Sequence, residues 1–275
     1  MPGRAGVPYP TRRAGLHLPF LFTGLQPQQP NPLIRYETVI FDCDSTLSDI
    51  EGIEELAAAH RDEVARLTDA AMRGEISLER VYGHRLELVR PTRDRMEVLG
   101  RQYVERLVPD AREVVAALQG EGIDVRIVSG GLLPAVLAVA RELGLGESAV
   151  AAVDLYFDQA GEYTGFDTES PLAYSGGKRD QLLRWWSGMP GPVMLVGDGI
   201  TDLEARPPAN LFVAYAGVVA RPAVVAAADV VVHARSLATV LPLALGGVAP
   251  TRPESRALFD LGLALMHQGP ADSGA

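Results

Sequence analysis

The chain has 275 residues, 47% of them hydrophobic, and a formal net charge of −10. That length suits one large domain plus an insertion, or two domains, and the apolar content suits a sizeable core. The acidity argues against nucleic acid or an anionic membrane surface as the main partner, and an anionic substrate would need local positive charge. A single cysteine, Cys43, permits no intrachain disulfide and suits a reducing, cytoplasmic compartment. Of the 25 lysines and arginines only Lys178 is a lysine. Lysine is a compact, flexible point charge, and a site needing that geometry would keep it against a coding bias toward arginine.

Residues 1–32 are rich in Pro, Gly and Gln, and the segment to residue 34 reads as disordered or loosely attached. Its apolar stretch 16–25 is broken by Pro19 and Gly24, too short to span a membrane, and lacks the small-residue pattern of a signal-peptide cleavage site. The apolar run Val39-Ile40-Phe41 reads as the end of a buried strand over 38–41. Apolar residues then recur at helical spacing over 51–63, 63–72, 77–89 and 93–107. Residues 50–108 thus read as an inserted, all-helical cap.

From residue 109 strands alternate with helices. A helix over 110–119 leads to a strand over 125–128 that closes on Ser129-Gly130-Gly131. A helix over 134–143 stops at Gly144, 150–153 is a further candidate strand, and a hairpin surrounds 158–161. A helix over 175–186 carries Lys178 near its start, and the apolar strand 193–196 ends on Gly197-Asp198-Gly199. Strands over 211–214 and 230–232 complete a set of five β runs separated by helices. The pattern implies an α/β fold, a doubly wound, mostly parallel sheet with right-handed crossovers, occupying 35–49 and 109–247. A helix around 258–266 and a polar tail make up 248–275.

Ligands in such folds collect at the carboxyl ends of the strands. Asp42 and Asp44 follow the first strand at i and i+2. Two acids about 4 Å apart at an effective dielectric near 20 repel by roughly 4 kcal/mol, so one is protonated or a cation is present. An EF-hand loop is excluded, since its sixth position is Leu47 and its twelfth Ile53. Asp42, Asp198 and a carbonyl oxygen at Asp44 make a hard-oxygen site suited to Mg²⁺. Ser129 and the N–H groups at Gly130 can cradle phosphate oxygens, with Lys178 as the cation and Asp202 placed to hold it and a metal-bound water. A carboxylate in such a site is a competent nucleophile through an aspartyl-phosphate, and Asp44 can protonate the leaving oxygen and deprotonate the attacking water. Other motifs fail: a Walker A would need Gly at Leu172 and Ser or Thr at Arg179, and no Gly-x-Ser-x-Gly elbow occurs. The five histidines form no ligand-spaced pair and read as surface or structural.

Taken together, Asp42-Cys43-Asp44-Ser45-Thr46, Ser129-Gly130-Gly131, Lys178 and Gly197-Asp198-Gly199-Ile200-Thr201-Asp202 resemble the four motifs of the haloacid dehalogenase superfamily, over roughly residues 37–245. Residues 51–57, 71–74, 161–166 and 175–178 resemble its phosphoserine phosphatase branch more closely. The resemblance implies a haloacid dehalogenase-like core with a helical cap. Asp42 would be the nucleophile and Asp44 the acid/base, with Mg²⁺ held by Asp42, the Asp44 carbonyl and Asp198. It puts Ser129, Gly130, Lys178 and Thr201 on phosphate, and Glu51, Met72, Arg85 and Gly131 on the rest of the substrate, Glu51 toward an ammonium and Arg85 toward a carboxylate. Asp202 would support Lys178, and Arg221 would lie near the site. Val218-Val219 departs from the polar residue common after the glycine turn that follows the fourth motif. The implied activity is Mg²⁺-dependent hydrolysis of O-phosphoserine, the last step of serine biosynthesis, in the cytoplasm, with a homodimer left open. Two alternatives stand beside it: a phosphomonoesterase or phosphotransferase with a retuned cap, and a non-catalytic phosphometabolite-binding protein. The presence of both Asp42 and Asp44 weighs against the second.

Overall fold

The computed structural model describes residues 34–57, 60, 62–64, 66–67 and 78–267. Strand β1 (Thr38–Phe41) is buried at all four positions. A strand with no solvent face needs partners on both edges and cover on both sides. It pairs in parallel with β2 (Asp124–Leu132) and with β6 (Val193–Gly197). With β3 (Val150–Val153), β7 (Leu211–Tyr215) and β8 (Val230–Val232) these strands form a six-stranded sheet of order β3-β2-β1-β6-β7-β8, every pairing parallel. Side chains alternate between the faces. Val39 and Phe41 enter one apolar cluster and Ile40 the other. Strand order reverses between β1 and β6, and the crevice beyond their carboxyl ends is where such sheets bind ligands. A separate two-stranded hairpin joins β4 (Leu155–Phe157) to β5 (Tyr163–Phe166).

The helical block after β1 contains α1 (Gly52–Leu56), α2 (Leu78–Val89) and α3 (Arg93–Glu105) among the described residues. The two chain segments that connect it to the sheet are fastened to each other. Ser48 Oγ donates to the carbonyls of Tyr103 and Arg106 at 3.1 and 3.2 Å, Asp49 N–H donates to Arg106 O at 3.0 Å, and Arg106 Nε reaches Asp49 Oδ1 at 2.7 Å. The core helices are α4 (Ala111–Gly120), α5 (Leu133–Glu142), α6 (Gly177–Trp185), α7 (Ile200–Leu203), α8 (Pro222–Ala227), α9 (Val240–Ala244) and α10 (Pro253–His267). Helix α3 lies close against α5: a Cβ on Gly100 would sit 2.9 Å from that of Ala138. The last helix of the cap therefore rests on the core.

Two expectations change. The sheet has six strands, not five, because Val150–Val153 joins it at the edge. Strand β2 does not close on Ser129-Gly130-Gly131 but continues through it to Leu132, which pairs with Val153 after an irregularity that begins at Val128. The glycines carry no side-chain alternation, so this extension leaves no periodic signal in the sequence.

Helix α6 begins where the chain passes against another backbone. A Cβ at Gly177 would lie 1.7 Å from the carbonyl oxygen of Pro171. Gly177→Ala should therefore force the α6 start away and cost about 1–3 kcal/mol, as overpacking does. Urea unfolding should show a lower midpoint, and a midpoint equal to wild type would contradict this placement.

Candidate active site

The sheet register brings the first and fourth motifs together. Phe41 pairs with Val196, and Asp42 N–H donates to Val196 O at 2.9 Å, so Asp42 and Asp198 leave neighbouring strand ends side by side. Asp202 returns to the same spot from α7, its Oδ2 accepting from Gly199 N–H at 3.0 Å. Gly197 makes room for it, since a Cβ there would sit 2.3 Å from Asp202 Cγ. One carboxylate oxygen from each of Asp42, Asp198 and Asp202 lies within 4.8 Å of the others, and all three residues are buried.

Lys178 enters this cluster from the first turn of α6. Its Nζ stands 2.8 Å from Asp42 Oδ2 and 2.6 Å from Asp202 Oδ1, with only 5% of its side chain exposed. Burial pulls the ammonium's pKa down, but Asp202 and Asp42 more than offset that, and it is raised overall. Asp198 and Asp202 are pushed up, first by burial and then by the charge of Asp42. Three carboxylates face one ammonium and, at the rim, the guanidinium of Arg221, whose Nε donates to Asp198 Oδ2 at 2.8 Å. A buried, hard-oxygen donor set with surplus negative charge is the chemistry a divalent cation neutralises, and these residues fit one. Thr46 adds a hydroxyl 3.5 Å from Asp198 Oδ1.

Asp44 turns toward the cap instead. The Tyr103 hydroxyl donates to its Oδ1, and Gly52 N–H donates to its Oδ2 at 3.3 Å. Burial and then the Glu51 charge push its carboxyl up to about 8, against the pull of the Tyr103 bond. Both Asp44 oxygens come within 3.3 to 3.5 Å of where a Cβ on Gly131 would stand, so the second motif adjoins the first. The Ser129 hydroxyl is fully buried and accepts from Gly131 N–H at 2.9 Å, which leaves its own proton available to an anion. Tyr82 donates to Gly130 O at 3.0 Å and so ties α2 to this part of β2.

The remaining predicted residues are placed as follows. Thr201 is half-buried in the first turn of α7. Glu51 Oε1 accepts from Ser45 Oγ at 2.7 Å and from Arg221 Nη2 at 3.1 Å, and burial raises its pKa. Ser45 takes a left-handed φ of 54°, a strained conformation for a non-glycine residue that is concentrated at functional turns. Arg85 lies one turn along α2 from Tyr82, whose hydroxyl is pushed well above its ordinary range by burial and then by the Asp44 charge, against the pull of the Arg85 guanidinium. Met72 lies outside the described residues. Cys43 faces the core, fully buried, and burial drives its thiol well above the ordinary range. Among the described histidines, His60, His84, His233 and His267 are all exposed. Sequence reasoning did not single out Tyr103, Tyr82 or Thr46. A tyrosine at helical spacing reads as core, and only the fold reveals where its hydroxyl ends.

This constellation and fold define a hydrolase class, and the comparisons agree. The family model of the haloacid dehalogenase-like hydrolases matches residues 36–209, and the chain belongs to that family. Its place there is with the phosphoserine phosphatases. It is 37% identical over 204 residues to the Drosophila melanogaster phosphoserine phosphatase, covering 72% of this chain and 76% of that one. It is 40% identical over 198 residues to the chloroplastic enzyme of Arabidopsis thaliana, covering 70% and 67% respectively. A solved phospho-aspartyl intermediate analogue of a phosphoserine phosphatase superposes with a TM-score of 0.60 at 27% identity, over 75% of this chain and 98% of that one. No helix among the described residues is long and apolar enough to cross a membrane.

Replacing Lys178 by methionine would leave the carboxylates without their buried cation, a loss of about 3–5 kcal/mol. The folded variant would then hold protons more tightly than the unfolded chain, so its stability should fall as pH rises. Urea unfolding of Lys178→Met without added metal should show the larger deficit at pH 7.5 and a smaller one at pH 5. A deficit independent of pH would contradict the charge cluster.

Proposed function

We propose that the protein is a Mg²⁺-dependent phosphoserine phosphatase, hydrolysing O-phosphoserine to serine and phosphate through an aspartyl-phosphate on Asp42. The observation that carries this reading is the buried Asp42 carboxylate, held by Lys178 beside two further acids and adjoining an Asp44 whose pKa near 8 keeps it protonated at neutral pH. An aspartate ion-paired to an ammonium beside a second aspartate that keeps its proton suits the nucleophilic and acid/base tasks. Relatives named as phosphoserine phosphatases supply the substrate.

In the first step an Asp42 oxygen attacks phosphorus and the bond from phosphorus to the serine oxygen breaks. Asp44 gives its proton to that oxygen, and serine leaves neutral. In the second step water attacks the phosphorus of the acyl phosphate, Asp44 takes the water's proton, and Asp42 returns as carboxylate. Asp44 ends the cycle protonated, as it began it. Ser129, the N–H of Gly130, Lys178 and Thr201 hold the phosphoryl oxygens, donors fixed in advance in a buried site. Asp42, the Asp44 carbonyl and Asp198 would hold Mg²⁺, which would supply positive charge beside the phosphoryl group. Asp202 keeps Lys178 in place. Arg85 pairs with the substrate carboxylate and Glu51 with its ammonium, while Met72 and Gly131 bound the remainder. The reaction is the last step of serine synthesis, and the lone buried cysteine accords with a cytoplasmic setting.

One observation favours a second reading, a related phosphomonoesterase with another cap specificity. The Glu51 carboxylate is already engaged by Ser45 and Arg221. A substrate without an ammonium would leave that arrangement intact.

Arg85→Ala separates the two. Loss of a charge-assisted hydrogen bond is worth about 1.5–3 kcal/mol, so KM for phosphoserine should rise about 10- to 100-fold. With p-nitrophenyl phosphate, which has no carboxylate, KM should change less than about 3-fold. Equal losses on both substrates would reject Arg85 as the carboxylate clamp, and wild-type preference for phosphates lacking an amino acid would favour the second reading.

A further inference from the structure

Asp44 has to deliver a proton in one direction and retrieve it in a defined order, and a carboxyl free to rotate is poorly suited to that. Its two oxygens are held from two different parts of the cap. The Oδ1 atom accepts the hydroxyl of Tyr103, near the carboxyl end of α3, and the Oδ2 atom lies 3.3 Å from Gly52 N–H at the start of α1. Tyr103 is fully buried, its ring packed in the larger apolar cluster, so the hydroxyl has no freedom to follow solvent. We propose that Tyr103 is a positioning residue for the acid/base. Its bond to Oδ1, opposite the Gly52 N–H at Oδ2, fixes the plane of the Asp44 carboxyl and so the direction in which its proton can pass.

The same arrangement explains an otherwise unassigned glycine. A Cβ on Gly52 would come within 2.2 Å of the Tyr103 hydroxyl and 3.0 Å of Cζ. Gly52 thus does two things at once: its N–H meets Asp44, and its missing side chain leaves the channel through which the Tyr103 hydroxyl reaches Asp44. The rest of that contact lies in α3, which rests on α5 of the core, so the tyrosine's position is set by core packing and not by α1 alone. Misplacement of a reacting group by about 1 Å can cost about 100-fold in rate.

This inference rests on the reading of Asp44 as acid/base, and leaving-group chemistry tests the two separately. Serine departs as a poor leaving group and needs the proton, whereas p-nitrophenolate is a stable anion and does not. The ratio of kcat/KM values on the two substrates is independent of how much protein is folded. Tyr103→Phe keeps the ring in its slot and removes only the hydroxyl. It should lower kcat/KM for phosphoserine about 10- to 100-fold and leave that for p-nitrophenyl phosphate within about 3-fold. Gly52→Ala should reproduce the same selective loss by displacing the hydroxyl. Asp44→Asn serves as the reference, with a larger loss of the same selectivity. If Asp44→Asn affects both substrates equally, the acid/base reading of Asp44 fails and this inference with it. If Asp44→Asn is selective while Tyr103→Phe is equal on both substrates or without effect, the role given to Tyr103 is overturned and that of Asp44 stands.

Discussion

A buried ammonium between two buried carboxylates, Lys178 between Asp42 and Asp202, is the contact on which the arrangement depends. An isolated charge at such depth would cost several kcal/mol, and like charges crowded beside it would cost more. The lysine makes the acids tolerable to one another. They in turn make a buried lysine tolerable and keep it charged. That mutual dependence joins three separate pieces of chain, the ends of β1 and β6 with α7 and the start of α6, at one point. The residual negative charge is what suits the point to a divalent cation and a phosphoryl group brought in together.

The sheet supplies the precision. Pairing of β1 with β6 sets Asp42 against the strand that ends in Asp198, and small residues at Gly177 and Gly197 let backbone and carboxylate approach where any side chain would collide. Around this rigid centre the cap contributes polar atoms from the other side. Tyr103 and the Gly52 N–H hold Asp44, Tyr82 holds the Gly130 carbonyl, and Glu51 meets Arg221. Asp42 is therefore fixed by the core, and Asp44 is oriented by the cap.

Much of this was legible in the residues because the chemistry sits where apolar runs stop. Asp42, Ser129 and Asp198 each come within two residues of the end of an apolar run, and Lys178 stands out in a chain otherwise furnished with arginine. What escaped notice is physically distinct. Strand β2 passes through two glycines that leave no alternation to read, so its last pairing with Val153 was hidden. Tyr103 and Asp44 are 59 positions apart, and Arg221 and Glu51 are 170 apart. Such pairs depend on how helices stack, which periodicity does not encode. Asp202 was expected beside Lys178 and a metal-bound water, and its carboxylate does lie with those of Asp42 and Asp198, where Gly197 leaves room for it.

The central claim is that a carboxylate oxygen of residue 42 becomes bonded to phosphorus during turnover. The most direct measurement is a rapid quench of the enzyme with excess phosphoserine into borohydride, which reduces an acyl phosphate to an alcohol, followed by peptide mass spectrometry. The account predicts homoserine in place of aspartate at position 42, dependent on phosphoserine. Reduction at another carboxylate, or none at position 42 while serine is being released, would contradict it.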